Sequence, residues 1–179
     1  MVKKTYLSAN TYLEDIWRLA SAVARSGWKA DALVALWRGG APVGVAVHEF
    51  LRHVGGWKLQ HMALKCYSYS GIGEASDEVV FEGLEGVVQS LPAGARVLVV
   101  DDVFDTGHTA AAIKERLEGA GFEFRIATVY WKSGKNLTSL KPDYYVKDTS
   151  DDWIVFPHEI EGLTREEMAE KSPFLAGLV

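Results

Sequence analysis

Stretches of nearly continuous apolar sequence alternate along this chain with segments of helical period, and that alternation constrains the fold more than any other feature. The apolar stretches are DALVALW (31–37), ARVLVVDD (95–102) and FRIATVYW (124–131), with WKLQHMALKC (57–66) and DYYVKD (143–148) as further, more polar strands. Around them, TYLEDIWRLASAVARSGW, residues 42–53, EGLEGVVQSL, HTAAAIKERLEGAG and LTREEMAEK read as helices. Strands apolar along their whole length, rather than at every second position, belong to a sheet covered on both faces. The intervening helices supply the crossovers that parallel strands need. The expected class is therefore α/β, a mainly parallel sheet flanked by helices. Ligands of such sheets bind beyond the carboxyl ends of the strands.

Within the first helix, Leu13, Ile16, Trp17, Ala20 and Val23 share a face, Thr11 and Glu14 offer a capping box, and Gly27 offers a stop. Pro42 suits the first turn of the helix over 42–53. YSYSGIGEASDEVV has neither period and reads as a mobile loop or an irregular hairpin.

At 179 residues the chain is long enough for one domain with a substantial core. The formal net charge is −5 and the isoelectric point about 5.5, which argues against a phosphate-tracking basic surface, so no nucleic-acid partner is expected. Cys66 is the one cysteine, which precludes an intrachain disulfide and fits a reducing compartment. The N-terminal residues hold no uninterrupted apolar stretch, and no segment reaches membrane-spanning length. Neither a membrane partner nor a leader is expected, and the location expected is the cytoplasm.

The chemistry concentrates in VLVVDDVFDTGHT, residues 97–109. Asp101 and Asp102 end an apolar strand, and Asp105-Thr106-Gly107-His108-Thr109 leads into a helix. A helix N-terminus offers unpaired N–H groups and a positive dipole, which suits a phosphate. Gly107 permits close backbone approach, and Thr106 and Thr109 add hydroxyls. Two acids beside that cradle would repel the phosphate itself. They make sense facing sugar hydroxyls, or a cation bridging those hydroxyls, so the group implied is a ribose 5-phosphate.

This pattern of aliphatic residues, two acids, two variable positions and Asp-Thr-Gly-x-Thr resembles the phosphoribosyl pyrophosphate motif of the type I phosphoribosyltransferases. The resemblance implies that family's fold: one domain over 1–179, its core about 28–148, with a small hood from the N-terminal segment and about 149–179. It assigns Arg38, Gly39 and Gly40 to the loop that takes the diphosphate, in which relatives often have a strained or cis peptide. Asp101, Asp102, Asp105, Thr106, Gly107, His108 and Thr109 are assigned to the rest of the phosphoribosyl pyrophosphate. Ser68 and Tyr69 fall where the family carries its flexible catalytic loop.

The C-terminal third resembles the xanthine-guanine and hypoxanthine-guanine branch. By position, Lys132 would donate to the purine 6-oxygen, Trp153 would stack on the ring and the Ile154 backbone would read its edge. Asp102 and Glu159 would hold Mg2+. The reaction implied is transfer of the 5-phosphoribosyl group to guanine, xanthine or hypoxanthine, with Asp105 accepting or orienting the proton of the attacking ring nitrogen. A homo-oligomer, dimer or tetramer, is expected, and the apolar tail FLAGLV offers an interface. Two alternatives stay open: a different base, such as a pyrimidine, and a regulator that binds phosphoribosyl pyrophosphate without turning it over.

Overall fold

The computed structural model describes residues 4–69 and 78–178. The chain divides into two compact units, one made of Met1–Leu13 with Asp152–Val179 and the other of Glu14–Asp151.

The larger unit is built on a 6-stranded sheet of order β4-β3-β2-β5-β6-β7. Its strands are β2 (Ala32–Trp37), β3 (Gln60–Tyr69), β4 (Glu78–Glu82), β5 (Arg96–Phe104), β6 (Glu123–Trp131) and β7 (Tyr144–Asp148). All ladders are parallel except the β3–β4 pair. The helices are α2 (Gly40–His53), α3 (Leu84–Ser90) and α4 (His108–Gly119). Along β2 and β5, Ala32, Val34, Val97 and Val99 pack with Val87 of α3 and with Ala110, Ile113 and Leu117 of α4. The opposite face meets α2 so closely that a Cβ on Gly44 would lie 2.6 Å from that of Ala35. Both faces of these strands are thus covered, which is why their sequences show no polar alternation.

The helix α1 (Ala9–Arg25) begins earlier than the expected capping box. Ser8 is the cap, its Oγ accepting the Thr11 amide at 3.1 Å. The buried stripe is also rotated from the expected one. Tyr12, Ile16, Leu19, Ala20 and Val23 are buried, whereas Leu13 is 37% and Trp17 46% exposed. A helix with apolar residues on several sides leaves more than one stripe open to selection, and packing chose the one with Leu19.

Ser68 and Tyr69 lie in the β3–β4 ladder, opposite Val79 and Glu78, rather than in a loop. The tyrosine-rich stretch has ample strand propensity for this hairpin. Residues 70–77 of the expected loop lie outside the described residues.

The smaller unit pairs β1 (Lys4–Tyr6) with β8 (Trp153–Val155) in parallel. It ends in α5 (Arg165–Lys171) and the short α6 (Pro173–Ala176). Thr164 and Glu167 form a capping box on α5, and Lys4 pairs with Glu167 at 2.6 Å. No helix among the described residues is long and apolar enough to cross a membrane.

His48 of α2 is buried at 8% exposure, with its ring 4.4 Å from that of His61 on β3. Burial, then the His61 ring and Arg52, hold its pKa below the ordinary value, against smaller opposing effects of the Leu59 backbone and Glu49. The unfolded chain protonates this imidazole near pH 6.5, where the folded chain does not. Stability therefore falls as pH drops below that value, by at most about 1.4 kcal/mol per pH unit for one proton. Urea unfolding of wild type and H48Q at about pH 7 and 5.5 checks this. The wild type should lose more stability between the two pH values than the variant does.

Candidate active site

The β2–β5 ladder ends at Ala35↔Val100, while β5 continues beside β6 as far as Phe104↔Trp131. Asp101 and Asp102 are therefore inside β5 and not at its end, contrary to expectation. The β2–β5 ladder has ended before them, and Gly39 and Gly40 lie against Val100, Asp101 and Asp102 instead.

The loop that carries these glycines turns straight from β2 into α2. The Trp37–Arg38 peptide bond is cis. Gly39 caps α2 without a side-chain hydrogen bond, and Arg38 is exposed beside it. Glycine is required at both following positions. A Cβ on Gly39 would overlap both carboxylate oxygens of Asp102, and one on Gly40 would lie 2.5 Å from the Val100 carbonyl. The same glycines that bare the α2 amides let them stand against the acid pair.

The pair is electrostatically costly. Asp102 is 7% exposed, and its Oδ1 accepts the Val103 amide at 2.7 Å. The Asp101 Oδ1 accepts the Asp102 amide at 3.0 Å. Burial, and next the charge of Asp102, push the Asp101 carboxyl well above the ordinary carboxylate range. The neighbouring Cys66 thiol is pushed up to about 11 by burial and by both aspartates. Two buried acids kept side by side indicate a site built for a positively charged or hydroxyl-bearing ligand.

Beyond Phe104, Asp105 and Thr106 lead to Gly107, which caps α4 at φ 86° with no side-chain hydrogen bond. Neither Asp105 nor Thr106 caps the helix. Among the described residues no side chain caps the first amides of α4, which is the arrangement that binds an oxyanion. A small cavity of about 90 Å3 opens here. Asp101, Asp105, Thr106, Gly107 and Thr109 line it, as does Thr128 of β6. His108 is exposed and does not line it.

The β5–β6 register explains the remaining feature. With Phe104 opposite Trp131, the next residues, Asp105 and Lys132, leave their strands side by side. Lys132 is 9% exposed, and its Nζ donates to Asp105 Oδ2 at 2.9 Å. Asp105 Oδ1 is buried and has no hydrogen-bond partner among the described residues, so Lys132 holds one of the two carboxylate oxygens and leaves the other unpaired.

In the smaller unit, Trp153 is 49% exposed, and Ile154 is buried in the ladder opposite Thr5. Glu159 Oε2 accepts the Phe156 amide at 3.1 Å, and the Glu159 carbonyl accepts Lys171 Nζ. Three residues of the larger unit were not singled out from the sequence. The Thr128 hydroxyl is buried and has no hydrogen-bond partner among the described residues, and Asn136 and Thr138 pack behind Gly107. A polar residue inside the apolar run of β6 was a signal for Thr128. Nothing local marks Asn136 or Thr138, because their contact is with a turn distant in sequence.

Residues 4–162 match the family described as the phosphoribosyl transferase domain. The chain belongs to that family. As a phosphoribosyltransferase it is an enzyme of the glycosyltransferase type. The hypoxanthine-guanine phosphoribosyltransferase of Lactococcus lactis subsp. lactis (strain IL1403) is 26% identical over 178 residues, 99% of this chain and 91% of that protein. The xanthine-guanine phosphoribosyltransferase of Nitratidesulfovibrio vulgaris (strain DP4) is 30% identical over 148 residues, 81% and 76% of the two chains. The crystal structure of the purine phosphoribosyltransferase from Pyrococcus horikoshii Ot3 superposes with a TM-score of 0.69 at 28% identity, covering 90% of this phosphoribosyltransferase and 97% of that one. The mainly parallel sheet flanked by helices is the architecture expected for the family.

Proposed function

We propose that this phosphoribosyltransferase moves the 5-phosphoribosyl group of phosphoribosyl pyrophosphate onto a 6-oxopurine, namely guanine, xanthine or hypoxanthine. The products are the nucleoside monophosphate and diphosphate, and the setting is purine salvage in the cytoplasm. The observation that carries the reading is the Lys132–Asp105 pair beside the uncapped start of α4. It sets a cation and a proton acceptor next to the cradle for a sugar phosphate. The names of the two relatives given above support the same class of base.

In this reading the 5-phosphate rests on the amides and hydroxyls of Thr106–Thr109. Asp101 and Asp102 take the ribose hydroxyls, and Arg38–Gly40 takes the diphosphate. Loss of diphosphate develops positive charge on the ribose, which the acid pair stabilises. A purine ring nitrogen forms the new bond to the anomeric carbon as the bond to diphosphate breaks. The proton on that nitrogen passes to Asp105 Oδ1, the oxygen that Lys132 does not hold. The Lys132 ammonium favours a 6-oxo group over the 6-amino group of adenine. Trp153 offers an exposed indole face for stacking, and Ile154 a backbone for the purine edge.

The donor set fits Mg2+. That ion usually takes one or two carboxylates and completes its shell with substrate oxygens and water. Among the described residues there is no group of three or more acidic, histidine or cysteine side chains that could hold a metal unaided. Asp102 would bind it together with the oxygens of the substrate. When bound, the ion neutralises the departing diphosphate.

For assembly we propose a homo-oligomer, supported by exposed apolar side chains such as Trp37 at 51%, Val45 at 68% and Phe174 at 77%. A monomeric mass by light scattering at working concentration would rule that out.

Diphosphate release with Mg2+, phosphoribosyl pyrophosphate and a panel of bases tests the function. Guanine, xanthine or hypoxanthine should be active, adenine and uracil should not, and chelation should abolish turnover. Activity with uracil alone would overturn the base assignment. Tight donor binding with no release for any base would establish a regulator instead.

A further inference from the structure

The turn that carries the phosphate is held from behind by a loop outside the cavity. That loop starts at Lys132, forms a 3-10 turn at Ser133–Lys135 and returns against Thr106 and Gly107. The Leu137 amide donates to the Thr106 carbonyl at 2.9 Å. Gly107 sits in the left-handed region, and a Cβ there would lie 2.8 Å from Asn136 Oδ1 and overlap Thr138 Oγ1. The Asn136 side chain organises this contact. Its Oδ1 accepts the amide and the hydroxyl of Thr138, each at 3.0 Å, and its Nδ2 donates to the Leu140 carbonyl at 2.6 Å. Thr138 Oγ1 in turn accepts the Leu140 amide at 3.3 Å. Neither Asn136 nor Thr138 lines the cavity.

We propose that Asn136 and Thr138 are positioning residues that set how tightly the Thr106–Gly107 turn binds the 5-phosphate end of the donor. The proposal rests on the reading of 105–109 as the phosphate turn. The first turn of α4 has no side-chain cap, so the aim of its amides depends on what packs behind Gly107. Amides gather on an oxyanion only when they converge, and a displacement of about 1 Å is enough to lose much of the effect. Because Asn136 and Thr138 touch the turn and not the cavity, loss of their side chains falls on the phosphate end and spares the base.

Calorimetric titration with ribose 5-phosphate, together with steady-state kinetics, tests this on N136A, T138V and T138S. N136A and T138V should each bind ribose 5-phosphate about 10-fold or more weakly, and KM for phosphoribosyl pyrophosphate should rise in parallel. KM for the purine should move less than about 2-fold, and T138S, which restores the hydroxyl, should stay close to wild type. Circular dichroism identifies a variant that fails to fold, and the other then carries the comparison. Wild-type affinity for ribose 5-phosphate in both N136A and T138V would overturn the proposal. So would equal losses at base and phosphate with no rescue by T138S. Failure of the wild type itself to bind ribose 5-phosphate would overturn the phosphate-turn reading, and this proposal with it.

Discussion

Asp105→Asn is expected to lower kcat by about 10²- to 10⁴-fold, the usual contribution of a positioned proton acceptor, while KM for either substrate moves by less than about 3-fold. The asparagine keeps an oxygen for Lys132 Nζ, which donates to Asp105 Oδ2 at 2.9 Å, so the pair's geometry is largely preserved. What is removed is the basicity of Oδ1, the buried oxygen without a hydrogen-bond partner among the described residues. An effect confined to kcat is the signature of an interaction made in the transition state. Equal losses in kcat and affinity would make Asp105 a binding residue, and an unchanged kcat would remove it from the chemistry. Steady-state kinetics with both substrates varied decides among these.

The second large effect has opposite signs on stability and function. The Asp101 carboxyl is pushed well above the ordinary carboxylate value by burial and by Asp102. The folded chain therefore holds a proton that the unfolded chain releases above about pH 3.8. Linkage then makes this residue a net loss of stability as pH rises from that value through its folded pKa. Asp101→Asn removes the loss while keeping an acceptor for the Asp102 amide. The free protein should melt about 2–4 °C higher at neutral pH, the shift that ~1 kcal/mol gives in a domain of this size, and the gain should shrink toward pH 4. KM for phosphoribosyl pyrophosphate should rise by up to about 10-fold, the range given by a hydrogen bond worth about 0.5–1.5 kcal/mol. Scanning calorimetry and kinetics on the same preparation check both halves. A variant that melts lower at neutral pH, or that keeps wild-type donor affinity, would contradict the role given to this acid.

The sequence by itself determined the layered α/β class, because the uninterrupted apolar runs of β2, β5 and β6 are tolerable only between two helical layers. It also determined where the turn proposed for the phosphate lies. Gly107 and the acids before it are local features, and a helix start needs no distant partner to be recognised. Elements without a long periodic pattern, β1, β4 and β8, were not legible, since each is specified by the strand it pairs with. Local pattern also misplaced the cap and buried stripe of α1, where Ser8 and Leu19 prevail over Thr11 and Leu13.

The relations between distant residues belonged to the tertiary structure alone. The register Phe104↔Trp131 brings Lys132 to Asp105, and the early end of the β2–β5 ladder sets Gly39 and Gly40 against Asp101 and Asp102. Asn136 and Thr138 come to rest behind Gly107 in the same way. The physical reason is common to all three. Period and capping are properties of neighbours along the chain, whereas register and loop return are set by the packing of whole layers, which no single segment encodes.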